Sequence, residues 1–266
     1  MNKMKKFFTL FFIASTALYA APVGNTSFPE IIQTGFFTSH NNAFDLRFGY
    51  EGDFVADARM GQYNQGSGRV DCYEQYTNSA TVTLNLLNRM DVYAVLGGSE
   101  TKVNWRFESL VDTSITRINL ETNTDLLWAV GSRVILFEWS NASLGVGGRY
   151  SSCDYSPQWV TSNGTSVSVS GARFNWDQWQ VNLDFSYKIN IFTPYIGTKY
   201  SSEKAELSNF SVPISQSLSG ENTFESRIPV GLYLGCALSN GKYFMLNLEG
   251  RLIDEEAVTV SCDFRF

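Results

Sequence analysis

Histidine is almost absent from this chain, and cysteine is sparse. His40 is the only histidine among 266 residues, and Cys72, Cys153, Cys236 and Cys262 lie far apart without a C-x-x-C pair. This spacing argues against a zinc site. A solvated histidine near the N-terminus is a poor candidate for a general base. We therefore expect no metal, no cofactor and no enzymatic activity.

Charged residues and long apolar runs are also scarce. Charged residues make up 17 % of the chain, below the roughly 25 % usual for soluble domains, whereas aromatic residues reach 15 %. The mean hydropathy is only -0.13 because Ser, Thr, Asn and Gly dilute the apolar residues evenly. A helical membrane protein would instead concentrate them in runs of about 20 residues. The net charge of -6 also argues against nucleic-acid binding.

The first twenty residues have the pattern of a secretory signal peptide. Lys3, Lys5 and Lys6 precede a short apolar stretch, and Ala20 offers a cleavage site. The apolar stretch is too short to span a membrane as an anchor. We expect cleavage after Ala20, which takes the net charge of the remaining chain to -9.

Apolar and polar residues alternate with period two along most of the remaining chain. In segment 44–60 the even positions are mainly aromatic or aliphatic, while the odd positions include most of the charges. The same alternation recurs in segments 79–86, 179–187, 224–236 and 258–266. Side chains on a strand point alternately to opposite faces, so each segment predicts a strand with one apolar and one polar face.

Three observations favour a membrane barrel over a soluble β-sandwich, which would alternate as well. The chain begins with an export signal. The apolar faces of its predicted strands begin or end in aromatic residues, and the last alternating strand ends at Phe266. Aromatic girdles are typical of outer-membrane barrels. We interpret Val260, Phe264 and Phe266 as the C-terminal signal that the barrel assembly machinery recognises. The predicted fold is all-β, an antiparallel transmembrane barrel in the bacterial outer membrane.

The alternating segments predict ten strands, an even number as in other bacterial barrels. They span residues 43–60, 77–87, 90–99, 125–137, 141–151, 174–187, 191–202, 224–237, 241–253 and 256–266. With Phe266 in the periplasm, every tight turn falls on the periplasmic side and every long loop falls outside. The expected organisation is a signal peptide (1–20), an N-terminal periplasmic segment (21–42) and the barrel (43–266). A further hairpin within 100–124 would give twelve strands instead.

The polar face of the strands is expected to line the barrel interior with charges of both signs. The inward-facing candidates are Arg47, Arg133, Arg149, Asp184, Glu249, Arg251, Asp263 and Arg265. In a porin, opposed charges order water and filter ions. In a ten-stranded barrel they could instead pair with one another and fill a narrow lumen. Glu249 with Arg251, and Asp263 with Arg265, resemble a ladder of ion pairs on adjacent strands.

Several blocks of the sequence resemble the chlamydial major outer membrane porin family. They are Ala-Pro-Val-Gly-Asn at 21–25, LRFGYEGDFVADARM at 46–60, YTNSATVTLNLLNRMDVYAVLGGS at 76–99, WQVNLDFSYKINIFTPYIGTKYS at 179–201 and EGRLIDEEAVTVSCDFRF at 249–266. The resemblance implies a trimer-forming, weakly selective porin that also stiffens the envelope through disulfides. This chain is shorter than typical members and has fewer cysteines.

Two functions follow as alternatives. The first is a porin-like channel for passive diffusion of small hydrophilic solutes or ions, with lipid, the assembly machinery and further copies of the chain as partners. The second is a non-conducting structural or adhesive protein that acts through surface loops and disulfide cross-links. Cys72 and Cys153 fall in predicted outer loops and could bridge each other or a neighbouring molecule, whereas Cys236 and Cys262 belong to lipid-facing rows.

Overall fold

The protein is almost entirely β-structure. The computed structural model describes residues 22–32, 34–35, 43–62, 69–108, 115–209 and 223–266, so the predicted signal peptide and His40 lie outside the described residues. Among these residues, no helix is long and apolar enough to cross a membrane. The elements are α1 (Phe28–Ile31), β1 (Phe44–Ala58), β2 (Met60–Gln62), β3 (Arg69–Leu86), β4 (Met90–Glu108), β5 (Ile115–Thr122), β6 (Asp125–Trp139), β7 (Ala142–Tyr155), β8 (Pro157–Ser162), β9 (Thr165–Ser166), β10 (Arg173–Tyr187), β11 (Phe192–Ser208), β12 (Thr223–Ser226), β13 (Val230–Ser239), β14 (Phe244–Leu252) and β15 (Glu255–Arg265).

Ten long strands close into an antiparallel barrel. In order around the ring they are β1, β3, β4, β6, β7, β10, β11, β13, β14 and β15. The first and last strands pair, with Arg47 opposite Arg265, so the ring has no free edge. The ten-strand prediction is confirmed. The hairpin within 100–124 does form, but β5 pairs only with the far end of β4 and with β8 and adds no strand to the barrel.

The two ends of the barrel differ. The connections β3–β4, β6–β7, β10–β11 and β13–β14 are short turns at one end, which identifies it as the periplasmic end. At the other end β2, β5 and β12 pair with the prolonged ends of barrel strands, β8 pairs with β5, and β9 pairs with β8. We call this part the outer extension.

The outer surface of the ring is apolar and carries two aromatic belts. The belt near the outer extension contains Tyr50, Trp128, Tyr150, Trp179 and Tyr200, all exposed. The periplasmic belt contains Phe44, Trp139, Tyr187, Phe192, Phe244 and Phe266. On β10, Trp179 and Tyr187 are eight positions apart, which corresponds to roughly 20 Å of barrel height at a tilt of about 40°. This height suits the hydrocarbon layer of an outer membrane.

The apolar row predicted for 44–60 does not continue to its end. A register shift between Val55 and Asp57 interrupts the pairing of β1 with β15. Such a bulge inserts one residue and exchanges the faces of everything after it. Ala58 and Met60 therefore point into the barrel and are buried, although their even positions predicted a lipid-facing side chain.

The segment predicted as one strand at 224–237 is two strands. Residues 227–229 interrupt it between β12 and β13, and Pro229 has no N–H for a continuous ladder. Phe224 consequently faces the interior, where it packs edge-on against Trp105, while Leu232, Leu234 and Cys236 keep the outward direction expected for β13.

Apolar side chains fill the interior of the outer extension. Tyr73, Trp105, Tyr155, Phe174 and Trp176 are almost inaccessible to solvent and belong to one cluster with Leu120, Leu207 and Phe224. We call this cluster the outer core. It packs the ring above the membrane as side chains pack the interior of a small soluble barrel.

The lipid-facing surface predicts a depth-dependent response to charge. Leu183 is 46 % exposed and lies midway between the belts on β10. We expect Leu183→Arg to lower the free energy of unfolding in lipid bilayers by about 2–4 kcal/mol, and Tyr187→Arg, at the belt, by about 0–1 kcal/mol. Equal costs at the two positions, measured by denaturant titration, would contradict this placement of the membrane.

Candidate functional site: the barrel lumen

The lumen contains the N-terminal end of the described chain. Residues 22–32, which we call the lumen segment, were expected in the periplasm but lie inside the ring. Val23, Asn25, Thr26 and Ile32 are each no more than 2 % exposed. The segment consists of an extended stretch followed by α1, which Ser27 precedes as N-cap and in whose first turn Pro29 has a fixed φ.

Two wall carboxylates hold the extended stretch by its backbone. Glu249 accepts hydrogen bonds from the amides of Val23 and Gly24, both at 2.9 Å. Asp184 accepts one from the amide of Thr26 at 3.0 Å and another from the Thr26 hydroxyl. Bonds from N–H groups to ionised carboxylates are about twice as strong as neutral ones.

Wall side chains also donate to the carbonyl groups of the segment. Arg47 donates to the carbonyl oxygens of Phe28 at 2.8 Å and Pro29 at 3.0 Å. Gln180 donates to Pro22 at 3.0 Å, and Arg265 donates to Ile32. Amides thus face carboxylates and carbonyls face mainly arginines, so the wall complements the polarity of a peptide backbone.

Apolar side chains of the segment are buried against the wall as well. Phe28, Ile31 and Ile32 form a cluster with Ala237 and Met245. The Arg133 guanidinium lies 4.5 Å from the ring centroid of Phe28, a cation–π distance. At the periplasmic edge, burial and the neighbouring Glu138 carboxylate raise the pKa of Glu30.

The eight predicted lumen charges all lie on the inner face of the ring, each at most 7 % exposed: Arg47, Arg133, Arg149, Asp184, Glu249, Arg251, Asp263 and Arg265. Several of them form ion pairs. Arg251 contacts Asp53 at 2.6 Å and Glu249 at 3.3 Å, and Arg149 contacts Glu51 at 3.0 Å. Their role in selecting solutes stays a prediction.

One of the two predicted ion pairs is replaced by another. Glu249 and Arg251 pair as expected. Among the described ion pairs, Arg265 contacts Asp45 at 2.7 Å and not Asp263. The register explains this choice, because Arg265 lies opposite Arg47 on β1, and Asp45 is the next inward-facing residue on that strand.

Further buried charges complete the lumen and were not identified from the sequence. Asp45 and Asp53 share the inward face of β1 with Arg47, so their odd positions could have revealed them. Lys199 contacts Asp254 at 3.0 Å and also Glu255. These two acidic residues lie at the turn between β14 and β15, where strand periodicity gives no signal.

The lumen is closed at two levels. The lumen segment occupies the part that the aromatic belts enclose, and the outer core fills the part beyond. The two meet at Pro22, which shares a small recess with Asp53, Arg149, Leu127 and Trp176. The guanidinium groups that would line a water-filled pore, such as that of Arg251, are inaccessible to solvent.

Cys72 and Cys153 do not bridge each other. Cys153 belongs to the outer core and is 1 % exposed, whereas Cys72 lies on the outward face of β3, and both thiols are free. The predicted disulfide between Cys72 and Cys153 is therefore wrong, because the two side chains point to opposite faces of the barrel wall. Burial, with Glu74 and Asp57 nearby, raises the pKa of Cys72 to about 12.

The last strand has its aromatic residues on the lipid face. Val260, Phe264 and Phe266 are 37 to 41 % exposed. The Phe266 ring meets Phe48 edge-on at 5.5 Å, and the Phe264 ring lies 5.3 Å from Phe244. Their predicted role as an assembly signal stays a prediction.

Comparison with known proteins identifies relatives of this chain. A family model described as Chlamydia major outer membrane protein matches residues 158–221. The major outer membrane porin of Chlamydia trachomatis serovar B is 25 % identical over 396 aligned positions, covering 100 % of both chains. That of Chlamydia muridarum is 24 % identical over 406 positions with the same coverage. Since this chain has 266 residues, the relatives contain segments that it does not have.

Solved outer-membrane proteins also align with the structure. The outer membrane protease OmpT from Escherichia coli aligns with a TM-score of 0.40 and 10 % identity, covering 84 % of this chain and 96 % of that one. An outer membrane channel from Pseudomonas putida F1 aligns with a TM-score of 0.40 and 10 % identity, covering 94 % and 98 %.

The family model covers the block at 179–201, and the alignments with the Chlamydia porins extend over all five blocks. The predicted resemblance is confirmed. This chain is similar to the chlamydial major outer membrane porins but shorter, and its barrel resides in the bacterial outer membrane.

Proposed function

We propose that this protein is porin-like and allows passive diffusion of small hydrophilic solutes or ions across the outer membrane. The observation that carries this proposal is the inner face of the ring, which is mainly polar and charged in the membrane-spanning part while the outer face is apolar. A barrel that served only as an anchor would have no need of so many inward charges. The relation to proteins named major outer membrane porins supports the same function.

Conduction requires a conformation other than the closed one described above. Both the lumen segment and the outer core must open before a solute can pass. Hydrophobic constrictions gate channels by excluding water, and the outer core is such a constriction. We therefore expect rare or brief openings instead of the steady conductance of a wide porin. The number of strands agrees with this expectation, because a ten-stranded barrel is narrower than open porins, which have 16–18 strands.

A second candidate function is that of a non-conducting structural or adhesive envelope protein. The filled lumen favours it, because paired charges and a bound segment stabilise a ring without a path for solutes. In this function the outer extension and Cys72 would make the contacts with neighbouring molecules. Cys153 would take no part, since it is enclosed in the outer core.

The partners and processing are proposals as well. Cleavage after Ala20 would release the mature chain, and the barrel assembly machinery would recognise the strand that ends in Phe266. By analogy with the resembled family the barrel would form a trimer. We propose no enzymatic activity, because the relatives are named porins and the single histidine has no catalytic partner in the sequence pattern.

Planar-bilayer recordings of the refolded mature chain test the channel. We expect short conductance steps separated by long closed periods. Arg149→Gln should shift the ion preference toward cations, because the lumen loses a positive charge. Arg106→Gln removes an arginine outside the barrel that contacts Asp71, and as the matched control it should leave the preference unchanged. A heat-dependent gel shift shows whether the protein is folded. If the folded protein shows no conductance, that result would contradict the channel and favour the structural function.

Non-reducing gels of native envelopes test the structural alternative. If the protein cross-links its neighbours, Cys72→Ser should abolish the disulfide-linked oligomers and Cys153→Ser should not. Because the pKa of Cys72 is raised from 9.0 to about 12, the isolated folded protein should alkylate there at least about tenfold more slowly than a free cysteine at pH 8. Oligomers that survive Cys72→Ser would rule out this residue as the link.

A further inference from the structure

We propose that the lumen is a binding site for a short peptide, and that its ligand is the chain's own mature N-terminus, which acts as a removable plug. The binding itself is independent of transport. Only its consequence for conductance rests on the proposed function.

The contacts of the lumen segment are those of a bound ligand and not of a wall element. A strand of the wall is held by main-chain ladder bonds to its neighbours. Among the described hydrogen bonds, residues 22–32 make bonds to the wall through wall side chains, chiefly Glu249, Asp184 and Arg47. The ring of ten strands closes without the segment, so the segment can leave while the ladder stays intact.

The shapes of the segment and the wall are matched at two glycines. Gly24 has a φ of +72°, and a Cβ there would lie 2.6 Å from Nη1 of Arg133. On the wall, a Cβ at Gly145 would lie 2.5 Å from the Thr26 Cβ. Each glycine thus makes room for the opposite surface. Gly24 is the more useful position for an experiment, because its replacement alters the ligand and leaves the wall unchanged.

The position of Pro22 links binding to processing. Pro22 lies in the recess below the outer core, beside Leu127 and Trp176. Cleavage after Ala20 would leave a single residue before Pro22, so that the N-terminus of the mature chain would begin at this recess, which Asp53 also lines.

Thiol protection in the full mature chain, residues 21–266, tests the docking. Ser27 is 4 % exposed, so Ser27→Cys provides a nearly isosteric reporter, with alkylation by a polyethylene-glycol maleimide located by peptide mass mapping. We expect labelling at residue 27 to be at least about a hundredfold slower in the folded protein than in denaturant. Val23→Cys serves as a second reporter deeper in the lumen, in case the first disturbs α1.

Two substitutions within the segment test whether the protection of residue 27 depends on the fit between the segment and the wall. Gly24→Ala should accelerate labelling at residue 27 by about tenfold or more, because alanine is strained at positive φ and meets Arg133. Glu30→Gln is the matched control at the periplasmic edge, where Glu138 faces Glu30, and it should not accelerate labelling. Unprotected reporters, or equal acceleration by the two substitutions, would overturn the proposal.

A synthetic peptide of residues 21–32 tests binding in trans. Added to the Gly24→Ala chain, the labelled peptide should bind, and the same peptide with Gly24→Ala should bind about tenfold more weakly. In bilayers the unmodified peptide should shorten the openings of the Gly24→Ala chain. Binding without any conductance would refute the proposed channel and leave the peptide site standing. Conductance without binding or block would refute the peptide site and leave the channel standing.

Discussion

The constraint that governs this structure is the need to satisfy charges and polar groups inside a narrow, water-poor ring. Ten strands enclose a lumen in which Arg47, Arg251, Arg265 and Glu249 are withdrawn from solvent. An unpaired buried charge costs several kcal/mol, so each arginine and carboxylate needs a counterpart. Other strands of the ring supply part of that counterpart, as in the contact of Arg251 on β14 with Asp53 on β1. The backbone of the lumen segment supplies much of the rest.

The same constraint connects the fold to the proposed transport. The same charged side chains have a role in both conformations. In the closed conformation they bind the lumen segment, and in an open lumen they could order ions. Opening would therefore expose Glu249, Asp184 and Arg47 to water at the moment when their peptide partners leave, and water would replace the lost hydrogen bonds. A closed and an open conformation can thus be of similar free energy, which a gated channel needs and a permanently filled structural barrel does not.

Much of the fold could be predicted because membrane strands follow a strict period of two. The alternation in β10 and β15 specified which side chains face lipid, and the alternation of short turns with long loops specified the side of each turn. The prediction went wrong where one residue breaks the period, at the bulge after Val55 and at Pro229. The inward direction of the lumen charges could be predicted from the alternation along each strand. The location of the lumen segment could not, because its main contacts are made by backbone groups of residues 22–32, and backbone groups have the same donors and acceptors in any sequence.

Hydrogen exchange of the backbone amides of residues 23–26 in the folded mature protein tests the central claim most directly. If Glu249 and Asp184 hold the segment inside the lumen, the amides of Val23, Gly24 and Thr26 exchange orders of magnitude more slowly than in the free peptide, as slowly as amides of the barrel strands. Exchange at the rate of an unstructured peptide, in protein whose strands are fully protected, would show that the lumen does not contain its N-terminal segment and would contradict this account.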